Sequence, residues 1–286
     1  RAGLPGGPVP AGVFGVGAAV TKPACAEPPS NYSPLKVPGT VVKDIDGLEA
    51  GTNHGRAADK YVYSASVVNQ WLEKPSTQPK NKKIVFVTFD DGPTTKFTGE
   101  QLDNLEKAGA RATFFMIPPQ MRDVGKNMLS RSLKMGNALA IHSYSHDYKY
   151  LYHGSAANKA KHISCDWDWA MAQSRAILGS NYFSSAFRYP GGHMSWTNLS
   201  QADATLAKRG VGWIDWNAMS GDADAQRPTT VPGYLQMVKK SIKESNNPNV
   251  VVILNHDTYG KQMTAKAMPS ILAWLKSQGY EFGVIA

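Results

Sequence analysis

The stretch IVFVTFDDGP, residues 84–93, places two adjacent carboxylates at the end of an apolar run rich in β-branched and aromatic residues. Such a run predicts a buried strand. Further short strand-like runs follow, and amphipathic, helix-like segments separate them. This alternation is typical of a parallel α/β sheet or barrel, whose functional sites form where the strands end. The two carboxylates therefore mark a candidate site.

The predicted strands number seven. They are IVFVTF (84–89), ATFFMI (112–117), ALAIH (138–142), SAFRY (185–189), VGWIDW (211–216), VVVILN (250–255) and YEFGVI (280–285). Thr98 followed by Gln101 predicts a capping box at a helix start. Gly109, Gly210 and Gly279 each follow a helix-like segment, where a residue that tolerates positive φ is favoured.

The N-terminal part differs in composition from the rest. Residues 1–80 are rich in Gly, Pro, Ala and Thr, which predicts a partly irregular extension or linker before one domain over residues 81–286. Within the extension, residues 67–72 could be ordered against the domain. No apolar run reaches the roughly 18 residues of a membrane-spanning helix, so no transmembrane segment is predicted. Because the chain starts at Arg1 we expect a processed product, secreted or associated with the cell wall or surface.

The net charge of +9 favours contact with anionic surfaces. The basic residues are scattered and no nucleic-acid-binding motif is found, so we do not expect nucleic acid as a partner. A monomer is favoured. Two cysteines, Cys25 and Cys165, are too few for a disulfide scaffold and too far apart in sequence for a thiolate metal site. They either form one bridge between extension and domain or remain two unpaired thiols.

Two histidines follow the third predicted strand, in HSYSH at residues 142–146. The four-residue spacing of His142 and His146 lets two imidazoles bind one metal ion. With one carboxylate of the pair Asp90 and Asp91, they would offer two nitrogens and one oxygen. This set suits zinc or a similar divalent ion with a position open for water. The second carboxylate could then act as a base on that water.

Five segments together resemble, in order, the motifs of the NodB-type polysaccharide deacetylases, also called carbohydrate esterase family 4. They are TFDDGP, HSYSH, RYPGG, DWNAMSGD and ILNHD, within residues 82–286. The resemblance implies an α/β fold of the deformed (β/α)7 barrel type with one metal site at the strand ends. It also implies metal-dependent hydrolysis of N-acetyl groups on a polysaccharide, with zinc as the preferred ion and cobalt or nickel as alternatives.

The resemblance assigns roles by motif position. Asp91, His142 and His146 would bind the metal ion. Asp90 would be the catalytic base, and Arg188 of RYPGG would pair with Asp90 and orient it. These residues make up the core of the expected site.

The remaining roles come from the later motifs. His256 of ILNHD would be the general acid, and Leu254 would line the pocket for the acetyl methyl group. A carboxylate should hold His256; the motif favours Asp222, while Asp215 is close enough in sequence to compete. Gly191 is the candidate for the backbone N–H that stabilises the oxyanion.

The sequence departs from the family pattern at two places. Gly191 follows Pro190, where many members carry an aromatic residue, which predicts a more open groove wall. The fourth motif lacks the Asp-Trp pair that many members have at its end. Trp216 could supply an aromatic wall, or it could belong to the core, and Tyr189 is a further candidate for substrate contact.

Among the residues outside the motifs, four histidines are expected to be surface or structural residues and two tryptophans are expected to pack. These are His54, His153, His162, His193, Trp167 and Trp169. N-acetylglucosamine or N-acetylmuramic acid of peptidoglycan is the preferred substrate, with chitin or chitooligosaccharides and acetylated xylan as alternatives. A catalytically inactive carbohydrate-binding relative is an answer of a different class. A haloacid-dehalogenase-like phosphatase is disfavoured because it needs Asp-x-Asp spacing and an all-oxygen metal site.

Overall fold

A curled parallel sheet lies at the centre of the protein. The computed structural model describes Cys25 and residues 41–286. The strands are β1 (Val62–Tyr63), β2 (Ile84–Asp90), β3 (Ala112–Met116), β4 (Ala138–Ile141), β5 (Ala186–Phe187), β6 (Gly212–Trp213), β7 (Ala218–Met219), β8 (Val250–His256), β9 (Glu281–Phe282) and β10 (Val284–Ile285). The main sheet has the order β6-β5-β4-β3-β2-β8-β7, with β9 also pairing with β2, and its pairs are parallel. The predicted deformed α/β barrel is confirmed.

Helices connect the strands. They are α1 (Ala65–Glu73), α2 (Thr95–Ala108), α3 (Lys126–Lys134), α4 (Tyr148–Tyr152), α5 (Ala156–Leu178), α6 (Ser200–Lys208), α7 (Val231–Ser245) and α8 (Gln262–Ser277). The capping box at Thr98 and Gln101 is wrong, because α2 already begins at Thr95 and Thr98 accepts the N–H of Thr94 from inside the first turn. The prediction for the glycines is confirmed, since Gly109, Gly210 and Gly279 all have positive φ.

The strands differ from the seven predicted runs at the sheet edges. The run at 280–285 forms two short strands in different sheets, and Gly283 between them lies so close to Phe86 that a Cβ there would approach its ring to 2.7 Å. β7 was not predicted, because two residues without a β-branched pattern form a strand only through pairing with β8. The run at 211–216 contributes only β6, so Trp216 lies beyond the strand.

Part of the N-terminal extension packs against the domain. β1 pairs with β10, and Trp71 of α1 is 1% exposed in a cluster with Phe86 of the central strand. A disulfide joins Cys25 to Cys165 on α5, which resolves the alternatives left open by the sequence. The boundary at residue 80 stays a prediction. Among the residues described, no helix combines the length and apolar character needed to cross a membrane.

Strand register positions the candidate site. β2 is buried along its whole length and lies between β3 and β8, so its carboxyl end is flanked on both sides. In the parallel register, Asp90 is paired with Phe115 on one side and with His256 on the other. Because parallel strands end at the same edge, the polar residues that follow β2, β4, β5 and β8 meet there.

Candidate active site

Three potential metal ligands converge at the ends of β2 and β4. Asp91 Oδ1 lies 3.3 Å from His142 Nε2 and 3.2 Å from His146 Nε2. One donor atom from each residue falls within 4.8 Å of the other two. His142 Nδ1 contacts the carbonyl oxygen of Arg188 at 2.8 Å. If Nδ1 donates there, Nε2 carries the free lone pair that faces the other two donors.

This convergence depends on an unusual backbone. Asp91, Ser143 and His146 have φ values of 77°, 76° and 48°, a region that non-glycine residues rarely occupy. The Ser143 hydroxyl accepts the N–H of His146 at 2.9 Å, and Gln120 donates to the Asp91 carbonyl at 2.7 Å. The buried carboxylate of Asp166 accepts hydrogen bonds from the backbone of Tyr144 and Ser145 within the same loop. These contacts hold the strained residues in place.

The donor set fits a divalent cation. Asp91 Oδ1 is buried and accepts no well-aligned hydrogen bond, although two imidazole nitrogens face it. A bound cation would satisfy this oxygen and both nitrogens together. Burial alone would raise the pKa of Asp91, but the His142 and His146 imidazoles in contact with it lower that pKa below its usual range. Asp91 is therefore anionic at neutral pH, as a candidate ligand for a cation should be.

Asp90 is held by a buried arginine. Arg188 Nη1 donates to Asp90 Oδ1 at 2.9 Å and to Thr88 Oγ1 at 2.7 Å. The other guanidinium nitrogens donate to the carbonyl oxygens of Ile214 and Asp215. Arg188 is fully buried and Asp90 is 2% exposed, so each charge depends on the other for compensation. The second oxygen of Asp90 lies 3.7 Å from His142 Nε2, beside the candidate metal ligands.

His256 lies on the other side of Asp91. His256 Nε2 is 3.9 Å from Asp91 Oδ2, and His256 Nδ1 is 2.8 Å from Asp222 Oδ1. Burial alone would lower the pKa of His256, but the hydrogen bond and charge of Asp222, with the charges of Asp90 and Asp91, raise it to about 9. His256 is therefore protonated at neutral pH, as a proton donor must be.

The structure distinguishes the two carboxylates that competed for His256. The Asp222 carboxylate contacts the ring nitrogen Nδ1 of His256 and accepts a hydrogen bond from the backbone N–H of the same residue. Asp215 instead accepts the backbone N–H groups of His193 and Met194, at 2.8 and 2.9 Å, and so fixes the turn after the third motif. Within the described residues, Asp215 forms no hydrogen bond with His256.

The predicted substrate-contacting residues fall into two groups. Leu254, Gly191 and Trp216 are partly exposed near the strand ends, and Trp216 also lies 5.4 Å from the Arg188 guanidinium. The prediction that Tyr189 contacts the substrate is wrong, because Tyr189 is 0% exposed and its hydroxyl donates to Asp203 at 2.7 Å. Arg188 points toward Asp90, so its neighbour along the extended chain points the other way.

The space above Gly191 is filled rather than open. A Cβ built on Gly191 would lie 3.2 Å from the Tyr148 hydroxyl and 3.2 Å from Trp196 Nε1. Two aromatic side chains from neighbouring segments therefore occupy the place where many family members carry an aromatic residue. The expectation of a more open wall is wrong at this point.

Sequence reasoning missed two buried carboxylates. Asp166 lies on α5, twenty residues after the histidine loop that it holds, and nothing local in the sequence indicates this contact. Asp257 directly follows His256, and its carboxyl group packs against Gly92 of the catalytic turn and accepts a hydrogen bond from Thr98. Its place in the ILNHD motif was the available signal.

The histidines outside the motifs have structural surroundings where contacts are described. His54 is buried, with Nδ1 3.0 Å from the carbonyl of Gly55. His162 stacks on Tyr150, and His193 stacks on Trp213. Trp167 and Trp169 pack in or against the core, as expected.

Comparison with known proteins identifies the family. Residues 77–208 match the family model described as polysaccharide deacetylase. The solved structure of a CE4 esterase from Streptococcus mutans is similar, with 39% sequence identity and a TM-score of 0.76, over 85% of this chain and 100% of that chain. The chain belongs to the polysaccharide deacetylase family, carbohydrate esterase family 4, whose members are hydrolases that act on N-acetyl groups.

Two curated relatives have more specific names. A bifunctional xylanase/deacetylase from Pseudobutyrivibrio xylanivorans is 30% identical over 210 residues, which are 73% of this chain and 31% of that relative. A peptidoglycan-N-acetylglucosamine deacetylase from Bacillus cereus is 28% identical over 204 residues, which are 71% of this chain and 69% of that relative. This chain thus spans about a third of the first relative and about two thirds of the second.

Proposed function

We propose that this protein hydrolyses the N-acetyl groups of a cell-wall polysaccharide with a divalent metal ion, zinc being preferred over cobalt or nickel. One observation carries the proposal. The Asp91 carboxylate lies between His142 and His146 on one side and His256 on the other, with Asp90 beside them. Ligands, base and acid thereby meet at one edge of the sheet.

Asp91, His142 and His146 would hold the cation. When bound, a cation of this kind acidifies water and polarises the acetyl carbonyl group. The chemistry of the ligand set, two imidazole nitrogens and one carboxylate, supports zinc. His142 is buried and Asp91 and His146 are partly buried next to the β2 and β4 ends, which supports a position fixed by the fold rather than by the substrate.

The protein's own groups supply the proton transfers. Asp90, aimed by Arg188, accepts a proton from the water whose oxygen attacks the acetyl carbon. His256, protonated through its contact with Asp222, gives a proton to the nitrogen as the C–N bond breaks. The products are acetate and a free amine. The N–H of Gly191 is the candidate donor to the oxyanion.

The preferred substrate is N-acetylglucosamine, or N-acetylmuramic acid, within peptidoglycan. The net charge of +9 supports an anionic wall surface, and the Bacillus cereus relative carries this activity in its name. The xylanase/deacetylase relative supports acetylated xylan as the second candidate substrate. Chitooligosaccharides are the third candidate. The disulfide supports an oxidising location, secreted or at the cell wall. We further propose a monomer that does not bind nucleic acid.

Acetate release from three substrates tests the function. The enzyme is incubated side by side with peptidoglycan, N-acetylglucosamine oligomers and acetylated xylan. We expect the highest rate with peptidoglycan. Faster release from xylan esters would overturn the substrate preference, whereas no release from any of the three would favour an inactive carbohydrate-binding relative.

Chelation tests the metal dependence. Dialysis against a chelator should abolish acetate release, and stoichiometric zinc should restore it. Parallel reconstitution with cobalt and nickel ranks the three ions. Hydrolysis that survives complete chelation would remove the metal from the proposed mechanism.

A further inference from the structure

One buried carboxyl group next to the candidate site takes no part in the proposed proton transfers. Asp257 directly follows the proposed acid His256 and is 1% exposed. Its Oδ2 accepts a hydrogen bond from Thr98 at 2.6 Å, whereas its Oδ1 is buried without a hydrogen-bond partner among the described residues. A buried polar atom without a partner costs stability, and such costs are typically found at functional sites. This cost indicates a role of Asp257 in the site.

The carboxyl group lies directly against the turn that carries Asp91. A Cβ built on Gly92 would lie 2.5 Å from both carboxyl oxygens of Asp257 and 2.7 Å from its carboxyl carbon. Close-packed atoms do not approach so closely, so residue 92 must be glycine while Asp257 keeps its place. Ile117, the residue after β3, also donates its N–H to the carbonyl oxygen of Gly92 at 2.8 Å. Gly92 is thus held by both a buried carboxyl group and the end of β3.

Three hydrogen bonds join residue 257 to the same segment. The N–H of Asp257 donates to the carbonyl oxygen of Asp90 at 3.3 Å, and the Thr94 hydroxyl donates to the carbonyl oxygen of Asp257 at 2.6 Å. The third is the bond from Thr98, whose hydroxyl also accepts the N–H of Thr94 at 2.8 Å. The partners lie before and after residues 91–93, so these bonds bridge the turn.

The bridge sets the spacing between two groups of the proposed mechanism. Asp91 begins the turn, and His256 immediately precedes Asp257. The facing atoms, Asp91 Oδ2 and His256 Nε2, are 3.9 Å apart. A cation on Asp91 would act on the carbonyl group of the acetamide, while His256 protonates its nitrogen. An error of about 1 Å in such a spacing can lower a rate on the order of a hundredfold.

We propose that Asp257 is a positioning residue, whose carboxyl group holds the turn of Asp91 at a fixed distance from His256. This inference rests on the proposed function. Asp257 acts through Gly92 and through its bond from Thr98, not on the substrate. The shape of the group and its hydrogen bond carry the role, because a neutral amide of the same shape would make the same contacts.

The first test separates positioning from substrate binding. kcat, KM and the zinc dissociation constant, the last by calorimetric titration, are measured for the wild type, Asp257→Ala and Asp257→Asn. Asp257→Ala should lower kcat about ten- to hundredfold and weaken zinc binding by a similar factor. KM should change by less than about twofold, because no substrate contact is lost. Asp257→Asn keeps the shape and the bond from Thr98, so it should stay within about threefold of the wild type in kcat and zinc affinity. An asparagine variant as impaired as the alanine variant would contradict the proposal.

A double-mutant cycle tests the contact with Gly92 itself. Gly92→Ala places a methyl group where the carboxyl group lies and should weaken zinc binding and lower kcat. Because Asp257→Ala empties this space, the double variant should be no worse than Asp257→Ala alone. Gly99→Ala is the matched control, since its Cβ would find Met128 Cε at 3.5 Å, an ordinary contact, and it should change neither value. A harmless Gly92→Ala, or two effects that simply multiply in the double variant, would refute the contact.

Two further variants separate positioning from general damage. Thr98→Val removes the hydrogen bond but leaves the carboxyl group in place, and it should lower kcat about three- to tenfold even if Asp257→Ala does not fold. Leu275, 0% exposed, lies near the end of α8, which leads from β8 to β9 and so to the opposite edge of the sheet. Leu275→Ala should lower the melting temperature but leave kcat and zinc affinity of the folded protein unchanged. If Leu275→Ala reproduces the losses of Asp257→Ala, instability explains them and the positioning role falls.

The possible failures are distinguishable. A wild type that binds zinc but releases no acetate from any substrate refutes the proposed function, and the zinc titrations then decide the role of Asp257. A wild type that binds no zinc refutes both. An active enzyme whose kcat and zinc affinity survive Asp257→Ala refutes the positioning role alone.

Discussion

His256 and Asp222 are joined twice, because the imidazole Nδ1 lies 2.8 Å from Asp222 Oδ1 and the backbone N–H of His256 donates to Oδ2 at 2.9 Å. Thr264 donates to the same carboxylate, which is 2% exposed. The pair therefore fixes both the orientation of the ring and its charge. Since Nδ1 is engaged, Nε2 is the nitrogen that faces the reaction centre.

Asp222→Asn should leave less of His256 protonated at neutral pH. Asp222 raises the pKa of His256, so its loss lowers that pKa, and His256 loses its proton at lower pH. Because the reaction needs protonated His256, the alkaline limb of the kcat profile should shift to lower pH, with kcat at neutral pH reduced about ten- to hundredfold. Asp215→Asn, which disturbs the neighbouring turn but not His256, is the matched control. An alkaline limb in the same place for Asp222→Asn and the wild type would contradict the role of the pair.

Asp90→Asn should separate catalysis from metal binding. Asp90 lies beside the ligands but is held by Arg188, so the amide should leave zinc affinity nearly unchanged while lowering kcat about 10²–10⁴-fold. His142→Ala should lose both zinc binding and turnover. Calorimetric zinc titration and acetate release are measured on both variants. An active Asp90→Asn enzyme would refute the assignment of the base.

Arg188→Lys should destabilise the fold as well as the site. The shorter ammonium group cannot reach Thr88, Asp90 and the two backbone carbonyls together, which leaves buried charges poorly paired. We expect a loss of about 3–5 kcal/mol in the free energy of unfolding, measured with urea. Arg131→Lys is the control, because its pairs with Asp103 and Glu106 are on the surface and should contribute at most about 1 kcal/mol. Equal effects of both substitutions would mean that burial of Arg188 is not decisive.

Asp257→Asn should change how stability depends on pH. Burial raises the pKa of Asp257 from 3.8 to about 7, so the folded protein binds this proton more tightly than the unfolded chain. The contribution of this bound proton to the free energy of unfolding is full below about pH 4 and declines as the pH rises toward 7. The asparagine variant lacks this decline. Its free energy of unfolding should therefore rise relative to that of the wild type as the pH is raised from about 4 to about 7. Urea unfolding at several pH values measures it, and parallel curves for the two proteins would contradict the prediction.

Trp71→Ala should test where the folding unit begins. Trp71 lies in the predicted extension but is 1% exposed and packs edge-on against Tyr63 at 5.6 Å. Its removal should cost about 3–5 kcal/mol of unfolding free energy, whereas Val41→Ala should cost little. A thermally unchanged Trp71→Ala protein would favour a domain that starts near residue 81.

The metal-ligand set was accessible from the sequence because each part is local. The pair Asp90 and Asp91 follows an apolar strand directly, and His142 and His146 share one short loop. Parallel strands end at one edge, so the two segments had to meet. The roles of these residues stay predictions until the experiments above are done.

The partner of His256 was only partly accessible from the sequence, since the family resemblance favoured Asp222 but Asp215 lies near it in the fourth motif. The pairing of β7 with β8 decides between them. It aligns Met219 with Leu254 and so brings the following segment, with Asp222, alongside His256. β7 itself escaped prediction because two residues form a strand only when a neighbour is present.

The aromatic residues around the candidate site also separate what the sequence predicts from what only the tertiary structure decides. Sequence alone predicted a parallel α/β sheet or barrel, because hydrophobic periodicity is a pattern of a few consecutive positions, whereas the resemblance to the deacetylase family implied the deformed barrel and the catalytic motifs. Only the tertiary structure decided that Tyr189 is buried, and that Tyr148 and Trp196 fill the space above Gly191. The direction of a side chain beyond a strand end depends on packing between segments distant in sequence, and no local pattern specifies it.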